Sequence, residues 1–162
     1  MIRPLDAADP PVIAATFAMI GWSKPREQYE RYLAEQEAGE RQVWVAWVDN
    51  EFAGYVTLNR RPAYPVFREH GIPEIQDLNV LPAFRRRGIG SALLEGAERA
   101  AGARVGIAVG LGADYGSAQR LYVRRGYVPD GRGVAYRGRT AGYGEQVVVD
   151  DDLVLCFTRE GA

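Results

Sequence analysis

Hydrophobic positions along the chain shift between strand-like and helix-like spacing, and each shift marks an element. Met1 to Leu5 predicts a short opening strand. Pro10 and Pro11 suit the first turn of a helix, with Val12, Ile13, Phe17 and Ile20 as its apolar stripe before Gly21. Ser23 and Pro25 start a second helix, carrying Tyr29, Tyr32, Leu33 and Gln36 at helical spacing, with Gly39 beyond its end. Val43 to Val48, dense in Val and Trp, predicts a strand. Asp49-Asn50-Glu51 turns it back into Phe52 to Leu58, giving a hairpin. Residues 61 to 73 hold Pro62, Pro65, Gly71 and Pro73 and predict a loop.

The second half repeats the alternation. Ile75 to Leu81 predicts a strand ended by Pro82, and from Ile89 the residues Ala92, Leu93, Gly96, Ala97 and Ala100 share a helical face. Val105 to Leu111 is another strand. Ser117 or Asp114 caps a short helix on which Ala118, Leu121, Tyr122 and Arg125 share a face, stopped by Gly126. Residues 129 to 146 are rich in Gly and Arg and give no clear element; Leu153 to Thr158 closes the chain as a strand. The sum is about six or seven strands and about four helices without repeat or linker. Residues 1–162 are therefore expected to form one α/β domain with a mixed sheet.

Composition narrows the chemistry. The 162 residues suffice for one core without staples, and a formal net charge of −1 argues against a chain-wide nucleic-acid binder, so any anion site must be local. Cys156 is the single cysteine and His70 the single histidine. A disulfide framework within the chain is excluded, and no metal is expected. A Ser-His-Asp or Cys-His enzyme would have to use His70, which reads as a solvated loop residue. The first residues, MIRPLDAADPP, have no signal-peptide core, and no apolar run approaches membrane-spanning length. A reduced, cytoplasmic setting without a membrane partner is the expectation.

One stretch concentrates charge: NVLPAFRRRGIGSALLEGAE, residues 79 to 98. A dinucleotide fingerprint fails there, because Leu93 stands where the last glycine is required. Arginines facing only water would leave Gly88 and Gly90 unexplained. Without a Cβ at these positions a ligand can approach the backbone, and the first N–H groups of the following helix point into open space. Together with the helix dipole and Arg85, Arg86 and Arg87, they make a pyrophosphate site.

Val80-x-Pro82-x-x-Arg85-x-x-Gly88-Ile89-Gly90-x-x-Leu93 resembles the acyl-CoA pyrophosphate signature of the GNAT superfamily of N-acetyltransferases, Arg/Gln-x-x-Gly-x-Gly/Ala. Ala118-x-x-Leu121-Tyr122-x-x-x-Gly126-Tyr127 resembles that family's second motif. The resemblance implies a GNAT-like mixed, splayed central sheet. In it the parallel strands 75–81 and 105–111 part to admit the pantetheine arm of acetyl-CoA. Leu78, Asn79 and Val80 would pair with that arm, while Arg85, Arg86, Arg87, Gly88, Ile89, Gly90 and Ser91 hold the pyrophosphate. Tyr115 stands where the family commonly has an Asn that contacts the cofactor, so that contact is not carried over to this chain, and Asp114 is left as a cap.

Acyl transfer to an amine needs a base, a donor for the leaving thiolate and a donor for the carbonyl. The resemblance implies Tyr122 as the acid, and Glu74 or Asp77 as the base with Glu74 favoured. It also implies a backbone N–H of Asn79 or Val80 as carbonyl donor. Three residues apart on a strand, Glu74 and Asp77 should face opposite sides unless a bulge intervenes. The function implied is acetyl transfer from acetyl-CoA to a primary amine through a direct ternary complex. A non-catalytic acyl-CoA sensor or partner-binding module is the alternative. By analogy Trp22, Tyr29, Tyr32 and the loop 61–73 line the acceptor side; Arg132, Arg137 and Arg139 either attract an acidic acceptor or are solvated. The acceptor stays open between a small amine, an aminoglycoside, a peptide N-terminus and a protein lysine. No nucleic acid is expected, and a homodimer is left open.

Overall fold

The computed structural model describes residues 1–161. Its elements are β1 (Ile2–Pro4), α1 (Asp9–Met19), α2 (Arg26–Glu37), β2 (Arg41–Val48), β3 (Glu51–Asn59), α3 (Pro65–Glu69), β4 (Glu74–Val80), α4 (Ile89–Ala101), β5 (Arg104–Gly110), α5 (Gly116–Arg124), β6 (Val128–Tyr136), β7 (Arg139–Thr140) and β8 (Leu153–Glu160). The strands form an open mixed sheet in the order β1-β2-β3-β4-β5-β8-β6-β7. β4 and β5 pair in parallel, at Glu74↔Gly106 and Ile75↔Ile107. No helix among the described residues is long and apolar enough to cross a membrane.

The chain divides into two compact units, Met1–Asn59 with Gln76–Ala100, and Arg60–Ile75 with the chain from Ala101 onward. The first is built on the β2–β3 hairpin. Its two-residue turn needs positive φ at both positions, and Asp49 (φ 48°) and Asn50 (φ 63°) supply it, since short polar side chains tolerate that region. Ile13 and Phe17 of α1 and Tyr29 and Tyr32 of α2 pack on Val43, Val45, Phe52 and Tyr55. The rings interlock: Phe17 stacks on Trp22 at 5.6 Å, and Tyr29 meets Tyr55 edge-on at 5.4 Å. Such pairs contribute about 0.5–1.5 kcal/mol each beyond burial. Val12 and Ile20, the outer members of the expected stripe on α1, are exposed.

Gly54 fixes how close β3 comes to β4. A Cβ on it would lie 2.4 Å from the Asn79 carbonyl oxygen and 3.0 Å from Val80 Cα, so only glycine fits. Below this, Arg41 is buried and fully engaged. It pairs with Glu35 at 2.5 Å and donates to Thr57 Oγ1 (2.7 Å) and Gln76 Oε1 (3.0 Å), with its guanidinium 4.4 Å over the Tyr32 ring.

In the second unit β5 pairs antiparallel with β8 along its whole length, and β6 pairs with β8 on the other side. Phe67 and Tyr64 pack with Ile72, Ala135 and Cys156. Their segment departs from the expected loop: Pro65 opens the five-residue helix α3, whose Phe67 is fully buried. A single buried ring gives so short a helix no periodicity to read. β6 and β7 likewise emerge from the Gly- and Arg-rich stretch, because β6 is laddered by β8 and β7 by β6, and neither is marked by alternation. Two further expectations are corrected. The start of α5 has no side-chain cap, so neither Asp114 nor Ser117 plays that part; a 3-10 turn at Ala113–Tyr115 leads into it instead. On α4 the buried residues are Leu93, Leu94 and Ala97, while Ala92 is exposed.

Candidate active site

The first unit carries Asp77, Leu78, Asn79, Val80 and the whole segment Arg85 to Ser91; the second carries Glu74 and Tyr122. Residues 76–80 are half-buried and run straight into a 3-10 turn at Pro82–Phe84. Pro82 ends the ladder because it has no N–H to give. Arg85 turns back and donates from Nε to the Val80 carbonyl at 3.1 Å, so the strand end and the arginine cluster are joined. Arg86 sits in the left-handed region at φ 62° and Gly88 at φ 77°, which swings the chain into α4.

The Gly88 carbonyl accepts the first bond of α4, from the Ala92 N–H at 3.0 Å. Among the described residues nothing accepts from the amides of Gly88, Ile89, Gly90 and Ser91. A Cβ on Gly88 would meet no atom within 4 Å, and one on Gly90 would only touch Val80 Cγ2 at 3.6 Å. The backbone there faces open space. Arg85, Arg86 and Arg87 are exposed, with Arg87 lying 5.5 Å over the Phe84 ring. Unpaired amides, the positive end of a 13-residue helix and three guanidinium groups fit a pyrophosphate.

Asp77 lies in β4 with φ 53°, a left-handed residue inside an extended strand. A short side chain that can bond locally tolerates this conformation, and it changes the side to which the strand's residues point. The Tyr32 hydroxyl donates to Asp77 Oδ2, and Gln28 Nε2 lies 3.5 Å from the same oxygen. Gln28 also donates to the Tyr32 hydroxyl at 3.2 Å. Burial, reinforced by the Asp77 charge, raises the Tyr32 pKa above its ordinary value, so this phenol remains a donor at working pH. Asn79 Nδ2 caps the same turn by donating to the Asp77 carbonyl at 3.1 Å. The i, i+4 spacing of Gln28 and Tyr32 puts them on one face of α2, but nothing in the sequence marks either as a partner of Asp77. Tyr29, expected on the acceptor side, is fully enclosed in the core, and Trp22 packs against that core beside Arg85.

Glu74 stands at the other end of β4, 6% exposed, on the pair with Gly106. Tyr122 is also 6% exposed, with its ring 5.7 Å from that of Tyr127. Burial pushes its hydroxyl pKa up to about 12, so it is protonated throughout the physiological range. A core tyrosine usually satisfies its hydroxyl, yet this one makes no hydrogen bond among the described residues. Its helix is pinned one turn earlier by Gln119, whose Nε2 donates to the Gly110 carbonyl at 2.8 Å. Tyr115, in place of the expected Asn, turns its hydroxyl to Asp151 Oδ1 at 2.8 Å. Cys156 is sealed in β8, with its pKa raised to about 12 by burial. His70 is exposed at the end of α3, its Nδ1 2.8 Å from the Val66 carbonyl.

Residues 9–127 match the family model described as the Acetyltransferase (GNAT) family. Among solved structures, a GNAT-family protein from Desulfovibrio desulfuricans superposes with a TM-score of 0.73 at 20% identity, covering 100% of this chain and 99% of that one. A ribosomal-protein-alanine N-acetyltransferase from Brucella melitensis gives 0.68 at 17% identity, with 99% of each chain covered. A PaiA N-acetyltransferase from Thermoplasma acidophilum, in complex with coenzyme A, gives 0.65 at 14%, over 99% and 98%. At these identities the likeness is one of fold. No curated protein matches the chain in sequence.

Proposed function

The chain belongs to the GNAT family of acetyltransferases, and from that membership we propose that it transfers an acetyl group from acetyl-CoA to a primary amine, with both reactants bound at once. The observation that carries the proposal is the set of four unpaired amides at Gly88–Ser91, facing open space beside Arg85–Arg87. Coenzyme A in the Thermoplasma relative supports the same ligand. Bound there, acetyl-CoA supplies an acetyl group already activated as a thioester. Arg85, Arg86, Arg87, Gly88, Ile89, Gly90 and Ser91 hold its pyrophosphate, and the backbone of Leu78, Asn79 and Val80 holds its amide arm in the manner of an added strand. No metal takes part in this scheme.

The proton traffic falls to three side chains. A carboxylate must take the proton from the incoming ammonium, and Asp77 and Glu74 are the two on β4. Asp77 is half-buried and held by a charge-assisted bond from Tyr32, which favours it for a role that needs contact with an amine. Glu74 is enclosed, and takes that proton in place of Asp77 only through an intervening water. Tyr122 holds a proton on Oη that no internal acceptor claims, and this suits donation to a leaving thiolate. A backbone N–H of Asn79 or Val80 polarises the acetyl carbonyl. Residues 1–162 act together as one catalytic domain, in keeping with a family match that runs through segments of both units. The enzyme works in the reducing cytoplasm.

Release of free thiol from acetyl-CoA, followed across a panel of amines, tests the proposal. Amine-dependent release is expected. Tight acetyl-CoA binding with no release for any amine would replace the enzyme by a cofactor sensor, and absence of binding would remove both.

A further inference from the structure

The second unit contains a cleft of about 660 Å3 whose lining includes Leu111, Arg132, Val134, Tyr143, Glu145 and Leu153. Its floor comes from an interruption in β6. Pro129 pairs with Phe157 and Val134 with Leu155, so the four residues 130–133 loop past one residue of β8. That excursion is fixed. Asp130 Oδ1 accepts from the Arg132 N–H at 2.9 Å, while Asp130 Oδ2 accepts from the hydroxyl of buried Tyr64 at 2.8 Å. Gly131 and Gly133 supply the left-handed turns, at φ 80° and 77°. Bulges of this kind re-aim side chains, and Arg132, carried on this one, is exposed and lines the cleft.

Three arginines crowd this region, and the structure separates them. Arg139 is clamped by both oxygens of Glu145. Arg137 lies 3.7 Å from Asp152 and over the Tyr136 ring. The Arg132 guanidinium has no partner among the described residues. Glu145, also on the cleft, has its charge compensated by Arg139, and that bond lowers its pKa to about 2. The cleft thus presents apolar walls and one guanidinium, that of Arg132, without an internal carboxylate partner; a single carboxylate on an apolar body would complement it, whereas a phosphate dianion would bring a second negative charge towards Glu145 and Asp130. The cleft is also coupled to the Tyr122 helix, because Gln119 holds the Gly110 carbonyl and the adjoining Leu111 N–H donates to Leu153 at 3.1 Å.

We propose that this cleft receives the acetyl acceptor, and that the acceptor is an amine carrying a carboxylate on an apolar body, with Arg132 as the residue that selects for it. The acceptor part rests on the acetyltransferase function proposed above; the carboxylate preference rests on the cleft alone. Two measurements on the full chain separate them. The first is direct binding of 4-phenylbutyrate against 4-phenylbutanol, followed by NMR or calorimetry, in wild type, Arg132→Ala and Arg132→Lys. Wild type should prefer the acid by about 10- to 100-fold, the worth of a charge-assisted bond, and Arg132→Ala should lose the preference. Arg132→Lys should retain only part of it, since the planar fork is lost. The second is thiol release with phenylalanine against 2-phenylethylamine. In Arg132→Ala the KM for phenylalanine should rise about 10-fold or more with kcat little changed, and 2-phenylethylamine should be unaffected. Equal binding of acid and alcohol, or an Arg132→Ala variant that keeps the preference, overturns the inference and leaves the enzyme standing. An Arg132-dependent preference without thiol release from any amine upholds the anion site and overturns its role in acetyl transfer.

Discussion

Tyr32 donates its hydroxyl to Asp77 across 45 residues of chain, so one hydrogen bond ties helix α2 to the left-handed residue of β4. The ring that makes this bond is itself covered by the Arg41 guanidinium, which Glu35, Thr57 and Gln76 hold in turn. Removing the hydroxyl should therefore disturb the carboxylate without disturbing the packing below it. Tyr32→Phe is expected to cost about 1.5–3 kcal/mol of stability, the range for a bond to a charged group. If Asp77 is the base, kcat should also fall while acetyl-CoA affinity stays within a few-fold. Asp77→Asn should then lose more activity than Tyr32→Phe. Steady-state rates and calorimetry on Tyr32→Phe, Asp77→Asn and Glu74→Gln check this. Loss confined to Glu74→Gln moves the base to the buried end of the strand.

The phosphate cradle is testable through Gly90. Its nearest neighbour for an added Cβ is Val80 Cγ2 at 3.6 Å, ordinary contact, so alanine fits and the fold should not notice. Valine at this position fills the space before the free amides. Gly90→Val is expected to weaken acetyl-CoA binding by about 10- to 100-fold, roughly one or two lost charge-assisted bonds, with an unchanged melting temperature. Unaltered affinity by calorimetry would remove the pyrophosphate from this turn.

Tyr122→Phe keeps the ring against Tyr127 and deletes only a hydroxyl that no protein group claims. Stability should hardly move, while kcat falls by about 10²–10⁴-fold if the proton donation is needed. The pH behaviour follows from burial. A hydroxyl whose pKa is raised from 10.0 to about 12 contributes stability that is intact below pH 10 and lost as pH rises through 12. No alkaline limb below about pH 10 should therefore trace to Tyr122, and a kcat profile to that pH, compared with Tyr122→Phe, checks it.

Much of this was legible beforehand where chemistry is local. Asp49-Asn50 announces a tight hairpin because two adjacent positive φ angles need residues of that type, and the structure makes that turn. Gly88 and Gly90 before an amphipathic run likewise mark an open helix start. What stayed hidden depends on contacts between distant segments. Nothing near Tyr32 shows that it will meet Asp77. Nothing in the composition of residues 129–146 reveals a strand that β8 must template. The three arginines of that stretch are equivalent in the sequence, and only the positions of Glu145 and Asp152 distinguish Arg132 from its neighbours.

Gly54 offers a stability test that also reports on the site. A methyl group there meets the Asn79 carbonyl at 2.4 Å, and neither backbone can yield without moving β4. Gly54→Ala should cost about 1–3 kcal/mol, typical of overpacking. Acetyl-CoA affinity should fall with it, because the displaced residues are those assigned to the cofactor's amide arm. Equal affinity in a destabilised variant would separate that arm from Asn79 and Val80.

The sealed cysteine has a practical corollary. With Cys156 2% exposed and its thiol pKa pushed up to about 12 by burial, the native protein offers colorimetric thiol reagents almost nothing to attack at neutral pH. Coenzyme A liberated during turnover is then the sole reactive sulfhydryl in the cuvette. Colour arising in the absence of acceptor then measures leakage of the thioester to water, and is the background to subtract. The same burial turns the reagent into an unfolding probe: modification of Cys156 reports each opening of the β5–β8–β6 ladder.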